Sequence, residues 1–274
     1  MFKPADIIID DFATRLREEF VRAHPAATFD QRETLDRAGR LALTHVARSN
    51  ALYTNLDSTL LVAEVALRVL EGRQIERYDV TVRDWLNFMI ASLASFTGFA
   101  RGVVPGDAGR KLVVSTDGET VELDRGKTDG YLLRWYIPRS QMFVRHYYAN
   151  EVELDAEFMA DIIAHTRMIV PKETDDDPHS WGALLRAAQT IGLGADPRFI
   201  QRSKRLFRQL EESGLADAMG YRTAADVVDT YPDRFWKYLV PQIPVALSYL
   251  KYTGGGQLWL ARLNSHMLQE EHRE

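Results

Sequence analysis

The sequence predicts an all-α protein with one small β-hairpin insertion at about residues 103–126, and three observations carry that prediction. Apolar residues recur at helical spacing through most of the chain. The segments so marked are bounded by Asp, Thr, Gly and Pro in positions that start or stop helices. Only the stretch after Gly102 is dense in turn formers. There Leu112-Val113-Val114-Ser115 and Thr120-Val121-Glu122-Leu123 flank a turn at Asp117-Gly118, the pattern of a short hairpin.

In chain order, Phe12, Leu16 and Phe20 repeat at helical spacing, so a first helix is expected from an Asp10 or Asp11 cap to about Arg22, with His24-Pro25 ending it. Asp30 with Glu33 resembles a capping box for a second helix, whose stripe of Leu35, Leu41, Leu43 and Val46 runs to about Ser49. A third helix carries Leu56, Leu60, Leu61, Val65, Val69 and Leu70 and is expected to stop at Gly72. The fourth, Trp85 to Gly102, is apolar almost all round and therefore belongs in a core. Beyond the hairpin, helices are expected from Arg139 to Tyr148, Asp155 to Met168 and Ser180 to Leu193. Glu173 to Asp177 reads as a solvated acidic connector.

Asp196-Pro197 should start the next helix, which places Phe199, Ser203, Leu206 and Leu210 on one face. Arg198, Arg202, Arg205 and Arg208 form a basic stripe, read as a solvated face. Tyr231 to Tyr252 is helical but divided by Pro241 and Pro244. Gly254-Gly255-Gly256 reads as a flexible joint before a last helix, Gln257 to Glu271, because the strand and Lys-Ser/Thr of a phosphate loop are missing. With no internal repeat or low-complexity linker, one domain over 1–274 is expected, built from N-terminal helices (1–49), a core with the β insertion (50–195) and C-terminal helices (196–274).

Composition narrows the chemistry. The 274 residues are 46% apolar and 27% charged, ordinary for a chain that buries its own core. A net charge of −5 does not favour nucleic acid. The absence of cysteine excludes disulfides, thiolate nucleophiles and cysteine-rich zinc sites. Met1 to Phe12 lacks the pattern of a signal peptide, and no apolar run approaches a bilayer's thickness, so a cytoplasmic protein without membrane contact is expected.

Three segments resemble a known superfamily. Tyr53-Thr54-Asn55-Leu56-Asp57-Ser58-Thr59-Leu60-Leu61-Val62 is similar to the Tyr-His-Asn-x-x-His-Thr-x-x-Val segment of HD-domain metal-dependent phosphohydrolases. Ala94-Ser95-Phe96-Thr97-Gly98-Phe99-Ala100-Arg101-Gly102 falls where they carry Cys-His-Asp-Ile-Gly-Tyr-x-Arg-Gly. Leu184-Leu185-Arg186-Ala187-Ala188-Gln189-Thr190-Ile191-Gly192 is similar to their Leu-x-Arg-Ala-Ala-Asp-x-Ile-Gly. Gly220-Tyr221, Tyr231-Pro232, Phe235-Trp236 and the Trp259 to His266 region resemble a bacterial branch, so the likeness spans about residues 50–272. It implies an HD-domain-like helical bundle around the predicted hairpin.

The positions that carry chemistry in that family are all changed. Thr54 stands for a histidine that can act as general acid, and Ser58 for a metal-ligating histidine. Ser95-Phe96 replaces the His-Asp pair, and Gln189 the late aspartate. Framework residues such as Tyr53, Asn55, Thr59, Gly98, Arg101, Gly102, Arg186 and Gly192 still fit. A divalent ion needs carboxylate charge and imidazole donors in exchange for its waters, and hydroxyls with one amide supply neither. Without a metal there is no activated water and no clamp on phosphoryl charge.

The resemblance therefore implies a former cleft lined by Thr54, Asn55, Ser58, Ser95, Phe96, Thr97 and Gln189, with Arg101 and Arg186 at its edge, and neither metal nor cofactor. Those polar groups either bond to one another and to water or hold an anionic, nucleotide-like molecule against an arginine. The expected function is that of a catalytically inactive HD-like protein that binds a partner protein or an anionic small ligand. One alternative is an active phosphohydrolase with ligands relocated to His45, His146, His165 or Asp57. The other is a structural subunit, self-associating or paired with a relative through Tyr147, Tyr148, Phe235, Trp236 and Tyr238.

Overall fold

Apolar stripes at helical spacing draw the chain into a helical assembly, which a computed structural model describes for residues 4–168 and 177–271. Helix α1 (Pro4–Ala23) packs on α2 (Phe29–Val46). α1 begins earlier than expected, and Asp10 and Asp11 are exposed residues of its interior because Ile9 extends the buried stripe towards the N-terminus. The cap of α2 is Thr28, not Asp30. The Thr28 hydroxyl accepts the Gln31 N–H and the Gln31 side chain accepts the Thr28 N–H, a reciprocal pair that satisfies two otherwise orphaned donors.

α3 (Leu56–Arg77) runs through Gly72 and stops at Tyr78, whose φ is 55°. Gly72 is a contact point here. A Cβ at that position would overlap the backbone of Tyr249 in α10 (Pro244–Leu250). α4 (Val82–Ala94) is buried from Trp85 to Ala94. It ends before Gly102, with a 3-10 turn at Thr97–Phe99, because Gly98 lies against the Tyr136 carbonyl and its own carbonyl is taken by Arg139 at 2.7 Å.

The hairpin forms as expected. β1 (Lys111–Val113) pairs antiparallel with β2 (Thr120–Glu122), Leu112 opposite Val121, and Gly118 takes φ +81° in the turn. The hairpin is tied down by Arg139 of α5 (Tyr136–Tyr148), which is fully buried. Arg139 pairs with Asp107 at 3.0 Å and donates to the carbonyls of Gly98, Ala100 and Val113. Burial would raise the Asp107 carboxyl, but Arg139 and the N–H groups of Val113 and Gly102 hold it below its ordinary range.

α6 (Ala156–Ala164) starts at an Asp155 cap and ends short of Met168. α7 (Trp181–Gly194) starts at a Ser180 cap and packs along α3, where Gly192 leaves room for the Leu61 carbonyl. α8 (Phe199–Glu212) packs on α9 (Ala224–Arg234). Beyond α9 the prolines divide the chain as expected. A π turn at Phe235–Leu239 and a 3-10 turn at Val240–Gln242 lead to α10, which begins at Pro244. The three glycines are not a joint. They form the first turn of α11 (Gly254–Glu271), where a Cβ at Gly256 would overlap the Leu250 carbonyl. Of the acidic run Glu173 to Asp177, only Asp177 lies within the described residues.

Candidate functional site

The polar residues ahead of α3 are closed off by α8. Asn55 is the N-cap of α3 and accepts the Ser58 N–H at 3.3 Å. Thr54 is fully buried, and its hydroxyl accepts from the Gln209 side-chain amide at 2.9 Å. The Gln209 amide oxygen accepts the Tyr53 N–H at 3.0 Å, so one side chain satisfies both residues. Ser58 is also fully buried. Its hydroxyl donates to the Tyr53 carbonyl and accepts from Arg202.

Arg202 is the residue the sequence placed wrongly. It is 2% exposed, not solvated. Its guanidinium pairs with Asp196 at 2.9 Å, donates to the Tyr53 carbonyl at 2.8 Å and lies 5.1 Å from the centre of the Tyr53 ring. The signal was present. Arg202 follows Phe199 and precedes Gln209 at helical spacing, which puts it on the inward side of α8, while Arg205 and Arg208 remain outside.

The other cleft positions are spent locally. Ser95 and Thr97 donate to the carbonyls of Ser92 (2.9 Å) and Ala94 (2.7 Å), and the Ser95 carbonyl accepts from Ser140 at 2.9 Å. Phe96 is fully buried, 6.1 Å from the Tyr136 ring and 6.2 Å from that of Phe99. Arg101 does not stand ready for an anion. It forms a 2.7 Å ion pair with the buried Asp129. Arg186 is buried within α7.

Gln189 differs from the rest. It is 4% exposed, and its Oε1 has no hydrogen-bond partner among the described residues. It borders a cavity of about 90 Å³ with Leu193, Leu206, Leu210, Met219, Val227 and Leu239 as apolar wall. The polar lining adds Tyr53, Tyr221, Tyr231, Arg167 and Arg234. Burial raises the Tyr53 phenol to about 12 and raises that of Tyr231 as well. Sequence reasoning missed this cavity because its wall is assembled from α7, α8 and α9, which no local pattern brings together.

These residues do not fit a divalent ion. The hydroxyls of Thr54 and Ser58 are engaged, Ser58 by a cation, and Phe96 presents a ring to its aromatic neighbours. The candidates for relocated ligands stand apart. His45 lies between Phe143 and Tyr147, with burial lowering its pKa and Arg48 lowering it further. Asp57 pairs with Arg198 at 3.1 Å, His146 is exposed beside Tyr147, and the His165 ring packs on Gly182. Among the described residues, no three His, Asp or Glu side chains gather as a metal site would require.

Fold and site together define a helical protein with an internally charge-balanced polar cluster beside a largely apolar cavity. The chain belongs to the Npun_R2479-like family, whose sequence model matches residues 2–273. No curated protein and no solved structure matches it.

Proposed function

We propose that this protein is a non-hydrolysing binding protein, a relative of the HD phosphohydrolases that has kept the scaffold and replaced the metal centre, and that it takes a small anionic ligand. The single observation that supports the replacement of the metal centre is Arg202. A buried guanidinium on Ser58, balanced by Asp196, puts a fixed positive charge where the motif resemblance would put a cation. A divalent ion brought there meets an ion pair already closed on itself, with the Asp196 carboxylate held by Arg202 and the hydroxyls of Thr54 and Ser58 committed.

The cavity beside Gln189 supports the binding half of the reading, since concave and mostly apolar sites with a few polar groups are where small ligands sit. A cytoplasmic setting belongs to the same proposal, in line with the net charge of −5 and with the absence of any described helix long and apolar enough to cross a membrane. Exposed Trp236 and Tyr238 favour, as a second reading, association through the π turn. Tyr148 and Phe235 are core residues and drop out of that surface.

Metal analysis of the purified protein, together with phosphate release from nucleotides and model esters in added manganese, tests the first reading. The expected result is neither stoichiometric metal nor saturable turnover. Both together would overturn it.

A further inference from the structure

A larger recess lies between the end of α1, the second half of α3 and the first turn of α11, and it shares no wall residue with the cavity beside Gln189. We propose, independently of the reading of Arg202, that this cleft binds one uncharged, mainly hydrocarbon molecule the size of two fused rings.

Volume sets the size of the occupant. The cleft encloses about 460 Å³, against the roughly 150 Å³ of an apolar cavity that takes up benzene. It falls within the range of sites for small molecules. Its floor is apolar and already formed. Leu67, Leu70, Val80 and Trp85 are each at most 5% exposed, and Phe20 backs the Trp85 ring at 4.9 Å. Ile75, by contrast, is 45% exposed and stands at the mouth. Water leaves these apolar surfaces when a hydrocarbon enters, and that release is the driving force.

Charge selects against an ion. Four charged side chains line the cleft, and they close on one another. Glu19 pairs with Arg22 at 2.5 Å and with Arg68 at 3.3 Å, and Arg68 pairs with Glu71 at 2.5 Å. Two carboxylates and two guanidinium groups leave no net charge for a ligand ion to balance. The neighbouring polar groups are engaged as well. The Gln74 amide oxygen accepts the Val80 N–H at 2.9 Å, and the Thr253 hydroxyl accepts the Gly256 N–H at 3.0 Å. His24 adds no charge at neutral pH, since burial lowers its pKa. An ion entering here exchanges its water for walls that offer no counter-charge.

The first turn of α11 keeps the entrance bare. Gly255 makes room for the Arg68 side chain and Gly256 for the Leu250 carbonyl, but a Cβ on Gly254 would meet nothing within 4 Å. No packing contact requires glycine at 254, and its place on the cleft wall leaves the mouth unobstructed.

Calorimetric titration of the full chain with 1-naphthalenemethanol, 1-naphthoate and 1-naphthylmethylammonium tests the assignment, because these probes share a ring system and differ in charge. One molecule of the alcohol per chain is expected to bind saturably, with each ion at least about tenfold weaker, the scale of bringing an unpaired charge to an apolar wall. Gly254→Trp lays a ring across the mouth, and Ile75→Asp puts a charge there. Each should weaken the alcohol by about tenfold or more, with melting temperatures confirming that both variants are folded. Glu71→Gln leaves one guanidinium unbalanced and should narrow the gap between naphthoate and the alcohol. Equal or tighter binding of either ion to the unaltered protein, no saturable binding of the alcohol, or undiminished binding in folded G254W and I75D would overturn the assignment. Metal analysis and turnover bear on the Arg202 cluster alone, so either proposal can fail without the other.

Discussion

Arg202 brings a full positive charge to a point where 2% of its surface meets water, and Asp196 on the turn before α8 is its counter-charge. Such a pair contributes little over an apolar pair of the same volume, but half of it is expensive to leave behind. Asp196→Asn keeps an acceptor for the Arg198 N–H, bonded at 2.9 Å, and removes only the charge. It should cost about 3 kcal/mol in urea unfolding. The double variant D196L/R202M should recover a large part of that loss, the non-additivity expected of residues in direct contact. Additive losses would mean that the two charges are not coupled. At this scale the sequence was partly legible. Residue chemistry alone shows that Thr54, Ser58, Ser95 and Gln189 offer hydroxyls and an amide and no imidazole or carboxylate. That Arg202 is the companion of Ser58 depends on the rotation of a helix remote in sequence.

At the scale of elements, three glycines are points of close approach between segments, although the sequence read Gly72 as a helix stop and Gly256 as part of a flexible joint. Gly72, Gly98 and Gly256 each admit a neighbouring backbone carbonyl into the space of a side chain. Helix ends are set by local hydrogen bonding, so glycine is a fair stop signal, but the same residue is also the only one that permits such contact. Gly72→Ala is therefore expected to destabilise by about 1–3 kcal/mol, the range for forcing extra volume into a packed contact. Gly254→Ala, in the same region as Gly256 but with nothing within 4 Å of the added carbon, should be neutral or slightly stabilising. Chemical denaturation midpoints of the two variants separate the effects, and a neutral G72A would show that α3 and α10 are not in firm contact.

On the scale of the whole molecule, α8 returns to cover the start of α3, while α11 lies on α3, α7, α9 and α10. The C-terminal third therefore completes a core begun before residue 60 and cannot shed its contacts without exposing Thr54 and Ser58. Calorimetry should accordingly record one unfolding transition for the chain, and two separated transitions would show the C-terminal helices to be an independent unit. The helical class, the hairpin with its turn at Asp117-Gly118 and the lack of imidazole or carboxylate at Thr54, Ser58, Ser95 and Gln189 were settled by the sequence alone, because each depends on neighbours a few residues apart or on residue chemistry itself. The placement of Arg202, the commitment of Arg101 to Asp129 and the cavity with its unpaired Gln189 oxygen were decided only by tertiary packing. Charge pairing and enclosed volume are properties of groups far apart along the chain, and they come into being only when the helices meet.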